Sequence, residues 1–192
     1  MTKVKAKQEK KKSEIIEAIL PMLGDIPFEE ISMADICEAA DISTGSFYHY
    51  FKRKSDILVG LLGIIDEYME EYAFPKMTKR DEISNLKVFA TEWLKYVEAH
   101  GLERSKLISS VGATDYTQTG EKRISFIKLE EHIQKGQNKG QIKNDLSATK
   151  YAEMFLVALR GLTIDWTRRN AAYSLQDEGQ EYIQFLLSGM QA

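Results

Sequence analysis

The segment from Ser32 to Lys54 constrains the fold of this chain more than any other, because it has the pattern of two short helices joined by a tight turn. Ser32 is suited to cap the first helix, since its hydroxyl can accept a hydrogen bond from a backbone N–H that lacks a partner inside the helix. Asp41 stands at the turn and tolerates a left-handed backbone better than most residues other than glycine. Ser43 or Thr44 can cap the second helix. The pattern predicts a helix-turn-helix.

The composition of the 192-residue chain is that of a folded helical protein. Hydrophobic residues make up 43%, so a substantial core can form, and the chain has only 3 prolines. The apolar residues recur at helical spacing over long stretches and do not alternate as they would in strands. We therefore predict an all-α fold of about nine helices.

The second predicted helix of the motif has the composition of a helix that reads DNA bases. The first residues of such a helix approach base edges and are short and polar, as Thr44, Gly45 and Ser46 are. Tyr48 and His49 follow on the exposed side and are the larger predicted readers. Ordinary packing could account for any one of these residues. Their clustering on one short helix favours binding to double-stranded DNA.

Two aromatic residues of the same helix, Phe47 and Phe51, are four positions apart. This spacing places them on one face, so we expect them to form the buried seam that attaches the helix to those before it. We expect Phe28 and Ile31, which precede the motif, to pack beneath it as core.

From about Ile15 to Leu62, the chain resembles the TetR family of bacterial transcriptional regulators. The resemblance rests on an ordered series of residues, namely Asp35-Ile36-Cys37, then Ile42-Ser43-Thr44-Gly45-Ser46-Phe47-Tyr48-His49-Tyr50-Phe51, then Lys54 and Leu58. Two residues depart from the family pattern. Asp41 stands where the turn glycine is usual, and Cys37 stands where a small alanine is usual. Neither disrupts the motif, but Asp41 adds a negative charge near the DNA.

The resemblance implies how the chain is organised and how it holds DNA. Ser32, Tyr50 and Lys54 resemble the family's phosphate contacts, with Ser32 and Lys54 each at a helix start. No flexible linker follows the motif, so we place the functional boundary near Ile57, inside the next helix. Residues 1–57 are then a helix-turn-helix DNA-binding domain, and residues 58–192 an effector-binding and dimerisation domain.

Lysines are concentrated before the motif, at Lys3, Lys5, Lys7, Lys10, Lys11 and Lys12. This run predicts a mobile basic arm from Met1 to about Lys12, followed by a helix from about Lys11 to Leu23. A solvated tail is the usual meaning of such a run. Its position beside a DNA-binding motif favours contact with phosphates or the minor groove.

Charge and residue counts exclude several classes of protein. The formal net charge of −3 argues against a protein that coats nucleic acid along its whole surface. The single cysteine, Cys37, excludes an internal disulfide and a multi-cysteine metal site. The three histidines, His49, His100 and His132, lack the spacing of metal ligands. We predict neither a metal nor a cofactor.

The sequence begins with lysines and an amphipathic pattern instead of a signal peptide. No apolar run approaches the ~20 residues that cross a membrane. We therefore predict a cytoplasmic protein without a membrane partner.

The second half of the chain predicts a series of further helices. Their expected ranges are 54 to beyond 72, 83–99, 102–111, 121–135, 147–168 and 177–187, with a hydroxyl-rich loop over 112–120. The helix over 147–168 has two apolar faces. One face carries Tyr151, Phe155, Leu162 and Trp166, and the other carries Met154, Val157, Ala158, Gly161 and Ile164.

A helix that is apolar on two sides is expected to be buried on two sides, one against its own subunit and the other against a partner. With the apolar helix over 177–187, it would form a four-helix dimer interface, the arrangement that the resemblance implies. The predicted interface residues are Ala158, Gly161, Ile164, Tyr182, Phe185 and Leu186. The alternative is that the last helix only covers its own core. Arg160 and Asp165 could pair with a ligand, pair across the dimer or lie at its rim.

Large apolar residues on these helices are candidates for the lining of a small-molecule cavity. They are Phe89, Trp93, Tyr96, Met154, Phe155 and Trp166. Each of them could equally be ordinary core.

These patterns together predict a homodimeric transcriptional repressor. It would bind a palindromic operator and release it when a partly hydrophobic small molecule occupies the C-terminal domain. An activator or architectural DNA-binding protein without an effector is the first alternative, and a helical protein-interaction module is another. An α-helical enzyme is more remote, because no nucleophile, acid–base pair or cofactor loop is recognisable. We predict that the chain is not an enzyme and has no catalytic residues.

Overall fold

The structure is a computed structural model that describes residues 3–22, 26–110 and 123–192. Within these ranges it contains eight α-helices, and one of them is broken. They are α1 (Lys3–Ile19), α2 (Met33–Ala39), α3 (Thr44–Tyr50), α4 (Asp56–Tyr68), α5 (Glu82–Ser110), α6 (Ile124–Asn138), α7 (Ala148–Arg168) and α8 (Leu175–Met190). The prediction of an all-α fold with a helix-turn-helix near the N-terminus is confirmed.

The chain divides into two compact units. The first contains α1, α2, α3, α4 as far as Ile64 and the end of α5 from Lys106, and the second contains the chain from Ile65 to Ser105 together with α6, α7 and α8. The packing boundaries therefore lie inside α4 and inside α5. The functional boundary near Ile57 stays a prediction, because a division by packing does not test it.

The core of the first unit is formed by α1 and the two helices of the motif. Ile15 and Ile19 of α1, Ile36 of α2 and Phe47 of α3 are each at most 1% exposed. The segment before α2 contributes Ile31, which is 2% exposed. Phe28 is also buried, so the prediction that these two residues pack as core is confirmed.

The basic N-terminal segment differs from its prediction. It is helical from Lys3 onward as part of α1, where we expected a mobile basic arm and a helix beginning near Lys11. Lysine is a good helix former, and neither glycine nor proline interrupts the segment. Lys11 also forms an ion pair with Glu14 at 3.0 Å, at the i,i+3 spacing that supports a helix. The helix ends at Ile19, and residues 23–25 lie outside the described ranges.

The end of α4 is irregular. The α-helix stops at Tyr68 and continues as a π-helical turn, Met69–Ala73, followed by a 3₁₀ turn, Phe74–Lys76. Pro75 lies in the first positions of the 3₁₀ turn, where its missing N–H is tolerated. We expected one continuous helix beyond residue 72.

The two helices predicted over 83–99 and 102–111 are the halves of α5. Gly101 divides them with a φ of 82° and a ψ of 174°, which is a backbone conformation that suits glycine. The predicted loop over 112–120 and the start of the next predicted helix lie outside the described residues.

In the second unit, α6 and α8 both pack against α7. Their facing side chains are almost completely buried, and they include Leu129, Ile133, Phe155, Leu159, Ile183 and Leu187. Serines cap both of the last helices. Ser147 accepts from the backbone N–H of Lys150 at 3.1 Å, and Ser174 accepts from that of Asp177 at 3.2 Å. These caps fix the starts of α7 and α8.

A buried polar cluster joins the start of α5 to α6. The carboxylate of Glu82, which is 3% exposed, accepts hydrogen bonds from Asn85, His132 and Lys139. Its backbone N–H donates to the side chain of Gln141 at 3.0 Å. The cluster therefore holds the first turn of α5 against the C-terminal half of α6 and the residues that follow it.

No helix in the ranges described above is long and apolar enough to span a membrane.

Candidate functional site

The first helix of the motif, α2, begins with a reciprocal cap. The hydroxyl of Ser32 accepts from the backbone N–H of Asp35 at 3.1 Å, and the carboxylate of Asp35 accepts from the backbone N–H of Ser32 at 2.8 Å. The predicted role of Ser32 as a helix cap is confirmed. The hydrogen bonds from Ser32 also lower the pKa of the Asp35 carboxyl below its usual value. Ser32 is exposed, at the start of α2.

The turn between α2 and α3 is left-handed at Asp41, with a φ of 50°. Behind this turn, the backbone N–H of Ile42 donates to the carbonyl of Cys37 at 2.9 Å. Cys37 is 8% exposed, and its thiol contacts the hydroxyl of Thr44 at 3.9 Å. Aspartate therefore takes the conformation for which glycine is usual, and the cysteine packs as a small core residue.

The second helix, α3, is held by one cap and one aromatic pair. The hydroxyl of Ser43 accepts from the backbone N–H of Ser46 at 3.1 Å. On the inner face, Phe47 is fully buried and stacks on Phe51 with ring centres 5.1 Å apart. The predicted seam of Phe47 and Phe51 is therefore confirmed, and it fixes which face of α3 points outward.

The outward face of α3 carries the residues predicted to read bases. Thr44, Gly45 and His49 are exposed, and Tyr48 is 53% exposed. Ser46 is half-buried, and its hydroxyl lies 3.0 Å from that of Ser43. Tyr48 contacts Phe47 edge-on, and His49 contacts Tyr50 in the same way. Four of the five predicted readers are thus displayed together on one surface, and their roles stay a prediction.

Lys54 does not lie at the start of a helix, because α4 begins two residues later at Asp56. Its ammonium group donates to the carbonyls of Phe28 and Glu29, the latter at 3.2 Å, and lies 4.5 Å from the centre of the Phe28 ring. Asp56 accepts from the backbone N–H of Arg53 at 3.0 Å. Lys54 therefore ties the residues before α2 to those after α3, and its contact with phosphate stays a prediction.

The two apolar faces of α7 have different environments. Tyr151, Phe155, Leu162 and Trp166 are buried in the second unit, whereas Met154 and Val157 are 47% and 60% exposed and Gly161 is exposed as well. On α8, Tyr182 and Phe185 are 57% and 81% exposed. The other three predicted interface residues, Ala158, Ile164 and Leu186, are half-buried. The described part of the second unit thus displays an apolar surface on its last two helices.

Five of the six predicted pocket residues are buried. Phe89 stacks on Trp93 with ring centres 6.2 Å apart and meets Phe155 edge-on at the same distance. Tyr96 and Trp166 are buried too, and the indole N–H of Trp166 donates to the carbonyl of Tyr173 at 2.9 Å. The structure does not bring Met154 to this cluster. Met154 is 47% exposed, because it points about 100° away from its buried neighbour Phe155 around the helix axis.

Several contributors to this aromatic region were missed by sequence reasoning. Tyr68 lies 4.8 Å from Tyr96, and Tyr72 lies 4.7 Å from Tyr68 by ring centres. His100 stacks on Tyr96 at 4.0 Å, and the guanidinium of Arg104 lies 5.9 Å from the same ring. Tyr68 and Tyr72 are four positions apart, and so are Tyr96 and His100. This spacing places each pair on one face of a helix and could have indicated both contacts.

The two charged residues noted on α7 have local partners. The side chain of Arg160 donates to the carbonyl of Leu156 at 3.1 Å. Asp165 pairs with Arg169 at 2.9 Å and accepts from the hydroxyl of Tyr173 at 3.2 Å. Burial, together with the charge of Asp165, raises the pKa of Tyr173 to about 12. Among the residues that the structure describes, no group of three or more His, Cys, Asp or Glu side chains is arranged to hold a metal ion.

Comparison with known proteins agrees with this geometry. Residues 15–61 match the family "Bacterial regulatory proteins, tetR family". The HTH-type transcriptional repressor KstR2 of Mycolicibacterium smegmatis is 21% identical, over 94% of this chain and 90% of that protein. The fatty acid metabolism regulator protein of Bacillus subtilis is 22% identical, over 92% of this chain and 94% of that protein. These relatives are transcriptional regulators and not enzymes.

Solved structures share the fold along nearly the whole chain. The fatty acid degradation regulator FadR from Bacillus halodurans has a TM-score of 0.74 at 19% identity, covering 93% of this chain and 98% of that one. FadR from Bacillus subtilis in complex with stearoyl-CoA has a TM-score of 0.68 at 18% identity, with the same coverage. The resemblance seen in the motif is confirmed, because residues 15–61, which include the helix-turn-helix, match the TetR family of bacterial regulatory proteins.

Proposed function

We propose that the chain is a homodimeric transcriptional repressor that binds a palindromic operator and releases it when a small molecule binds in the helical domain. The observation that carries this proposal is the construction of α3. Its inner face is anchored by Phe47 and Phe51, and its outer face displays Thr44, Gly45 and Tyr48 together. A helix that is fixed on one side and polar on the other is suited to the major groove.

In the proposed complex, α3 reads the base edges and the surrounding residues hold phosphates. Thr44, Gly45, Ser46, Tyr48 and His49 are the reading surface. The phosphate contacts are Ser32, Tyr50 and Lys54. An ammonium group has three donors, and Lys54 directs two of them to the carbonyls of Phe28 and Glu29, so the third can reach a phosphate without undoing those bonds.

The exposed apolar surface of α7 and α8 supports the homodimer. Met154, Val157, Tyr182 and Phe185 are each at least 47% exposed, and large apolar side chains grouped in this way mark an interaction site. Gly161 has no side chain and allows the backbone of a partner helix to approach closely. Two copies joined through this surface present two α3 helices to one duplex, which is what a palindromic site requires.

The aromatic core of the second unit supports a small-molecule effector. The relatives include regulators whose names refer to fatty acid metabolism, and one related structure holds stearoyl-CoA. We propose that an effector of partly hydrophobic character binds among the helices that carry Phe89, Trp93 and Phe155. An effector that favours a dimer with a different spacing of its α3 helices shifts the population away from the DNA-bound form.

The proposal is tested by selecting genomic fragments that bind the full-length protein and then titrating the complex with candidate effectors. The expected result is a short inverted repeat in the selected fragments, protein bound with two subunits per site, and release of DNA by an apolar compound. Binding to DNA without any inverted repeat contradicts the dimeric operator. Stable binding in the presence of every apolar compound tried favours an activator or architectural protein.

A further inference from the structure

Trp93 carries a buried hydrogen-bond donor for which the described part of the chain provides no acceptor. Its side chain is 6% exposed, and no described residue places an acceptor within hydrogen-bond distance of Nε1. The other tryptophan is the contrast, because the indole N–H of Trp166 donates to the carbonyl of Tyr173. Buried donors are normally paired, since an unpaired one destabilises the fold. The N–H of Trp93 is therefore available to a bound molecule.

A second buried donor lies in the other half of α5, after Gly101. The Nε atom of Arg104 is buried and has no acceptor within the ranges that the structure describes. The guanidinium lies 5.9 Å from the ring centre of Tyr96, and Tyr96 follows Trp93 by one turn of α5. The two donors are 11 positions apart in the chain, and both Tyr96 and the break at Gly101 lie between them.

Aromatic rings lie along the part of α5 between these donors. Tyr68 lies 4.8 Å from Tyr96, and His100 stacks on Tyr96 at 4.0 Å. Phe89 stacks on Trp93. A molecule lying along this face of α5 would contact mainly aromatic surface between two polar ends, which is the usual composition of a small-molecule site.

The charges around this face favour an anion. The carboxylate of Glu92, the neighbour of Trp93 in the chain, is already paired with Lys76 at 2.7 Å and accepts from the hydroxyl of Tyr68 at 3.1 Å. Burial, aided by Glu92, raises the pKa of Tyr68 to about 12, so this hydroxyl stays neutral. Arg104 adds a positive charge that Glu92 does not cancel.

The backbone beside this region is also unusual. The π-helical turn Met69–Ala73 directly follows Tyr68 and contains Tyr72, whose ring lies 4.7 Å from that of Tyr68. Single π-helical turns are frequent at functional sites. This observation is independent of the unpaired donors.

We propose that Trp93, Tyr96 and Arg104 form a binding site for an apolar carboxylic acid that carries a second acceptor oxygen, such as a medium-chain hydroxy acid or keto acid. Its carboxylate lies against Arg104, its chain packs on the rings of Tyr96 and Tyr68, and its second oxygen accepts from the indole N–H of Trp93. The inference rests on the proposed function, because this acid is then the class of effector that the helical domain receives.

The test compares two probes that differ by one hydroxyl, 10-hydroxydecanoate and decanoate, by calorimetry on the full-length protein without DNA. We expect 10-hydroxydecanoate to bind about 3- to 10-fold more tightly, which corresponds to one hydrogen bond. Trp93→Phe keeps an aromatic ring but removes the donor, so it should abolish this difference. Trp166→Phe is the matched control and should preserve it, because Trp166 already has a partner. Arg104→Gln should weaken both acids by at least about 10-fold, because it removes the charge.

Equal binding of the two acids by the unaltered protein overturns the inference without any variant. So does a hydroxyl preference that survives in Trp93→Phe, or a failure of both acids to bind at millimolar concentration. A thermal melt of each variant shows whether it is folded. Failure of the inference is distinct from failure of the proposed function, because the latter is measured by the release of DNA with any compound.

Discussion

The Oε2 atom of Glu82 and the Nδ1 atom of His132 lie 2.7 Å apart, in a contact between residues that are 50 positions apart in the chain. Lys139 reaches the other carboxylate oxygen, also at 2.7 Å, and Asn85 donates at 2.8 Å. Burial alone raises the pKa of the Glu82 carboxyl, but these three donors outweigh burial and lower it to about 2 from a usual 4.5. The buried carboxylate of Glu82 is therefore ionised in the folded protein at neutral pH.

The low pKa of Glu82 predicts a loss of stability in acid. Because the pKa is lower in the folded state than in the unfolded state, the stabilisation is complete above about pH 4.5 and disappears as the pH falls towards 2. Glu82→Gln should lower the free energy of unfolding at pH 7 by roughly 3 kcal/mol and remove most of this acid dependence. Urea unfolding followed by tryptophan fluorescence measures this free energy, since both tryptophans lie in the second unit.

Glu153→Gln is the control for this substitution. Its carboxylate is 51% exposed and pairs with Lys150 at 3.2 Å, so its loss should change the free energy of unfolding by less than about 1 kcal/mol. An unchanged acid dependence in Glu82→Gln would show that other carboxylates govern it.

Substitutions on the outer face of α3 should weaken binding to the operator. Tyr48→Ala and His49→Ala should each cost ~1–3 kcal/mol in affinity for the selected operator, with little effect on binding to unrelated DNA. Fluorescence anisotropy with both duplexes measures the difference. Leu146→Ala, a change at an exposed residue of the second unit, should leave both affinities as they are. A double variant of Tyr48 and Lys54 that binds DNA as before would refute the assignment.

Lys54→Met should weaken binding to every DNA sequence alike. It removes the proposed phosphate contact, so the slope of log K against log salt should fall by about one unit. The variant should also melt at a lower temperature, because the hydrogen bonds to the carbonyls of Phe28 and Glu29 are lost. Anisotropy at several salt concentrations checks the first effect and calorimetry checks the second. A salt slope that does not change would leave Lys54 with a structural role only.

A charge on the exposed apolar surface should separate the proposed dimer. Phe185 is 81% exposed in the single chain, so Phe185→Glu should leave the fold intact while placing a carboxylate in the interface. We expect light scattering to give a monomer, and operator binding to fall with the loss of the second α3. Leu146→Glu, at a residue that is 39% exposed elsewhere, should remain dimeric. If Phe185→Glu stays dimeric, the interface lies on a different surface.

In the absence of ligand, replacement by phenylalanine should reduce the free energy of unfolding more at Trp166 than at Trp93. Trp166→Phe leaves the carbonyl of Tyr173 without its donor and should be ~1–3 kcal/mol less stable than Trp93→Phe, which breaks no hydrogen bond to a described residue. Both replacements reduce a buried ring by a similar volume, so the comparison isolates the hydrogen bond. Urea unfolding followed by circular dichroism measures it. Equal losses of stability would mean that Trp93 has a partner in the folded chain.

The features that the sequence predicted best are those formed by residues close together in the chain. Ser32, Ser43 and Ser147 cap helices with partners three residues away, so the starts of α2, α3 and α7 could be located from the sequence. The outward face of α3 followed from the spacing of Phe47 and Phe51. The start of α1 was misjudged because a run of lysines has the composition of a solvated tail as well as that of a helix.

Features that depend on distant residues could not be predicted. The partners of the Glu82 carboxylate lie up to 57 positions away, and the partners of Lys54 lie 25 and 26 positions before it. The spacing of apolar residues along the chain does not indicate which distant polar residues pair. It also gave two apolar faces for α7 without showing which is buried, and it grouped Met154 with rings that the structure places on the other face.

The left-handed turn at Asp41 places a carboxylate three positions before α3. The φ of 50° destabilises the fold by on the order of 1 kcal/mol with or without DNA, whereas in the proposed complex the carboxylate repels phosphates and so lowers the affinity for the operator. A regulator with modest affinity for DNA is displaced by a ligand with a correspondingly modest preference between its two forms. In the proposed repressor, Asp41 thus lowers the concentration of effector at which the regulated genes are switched on.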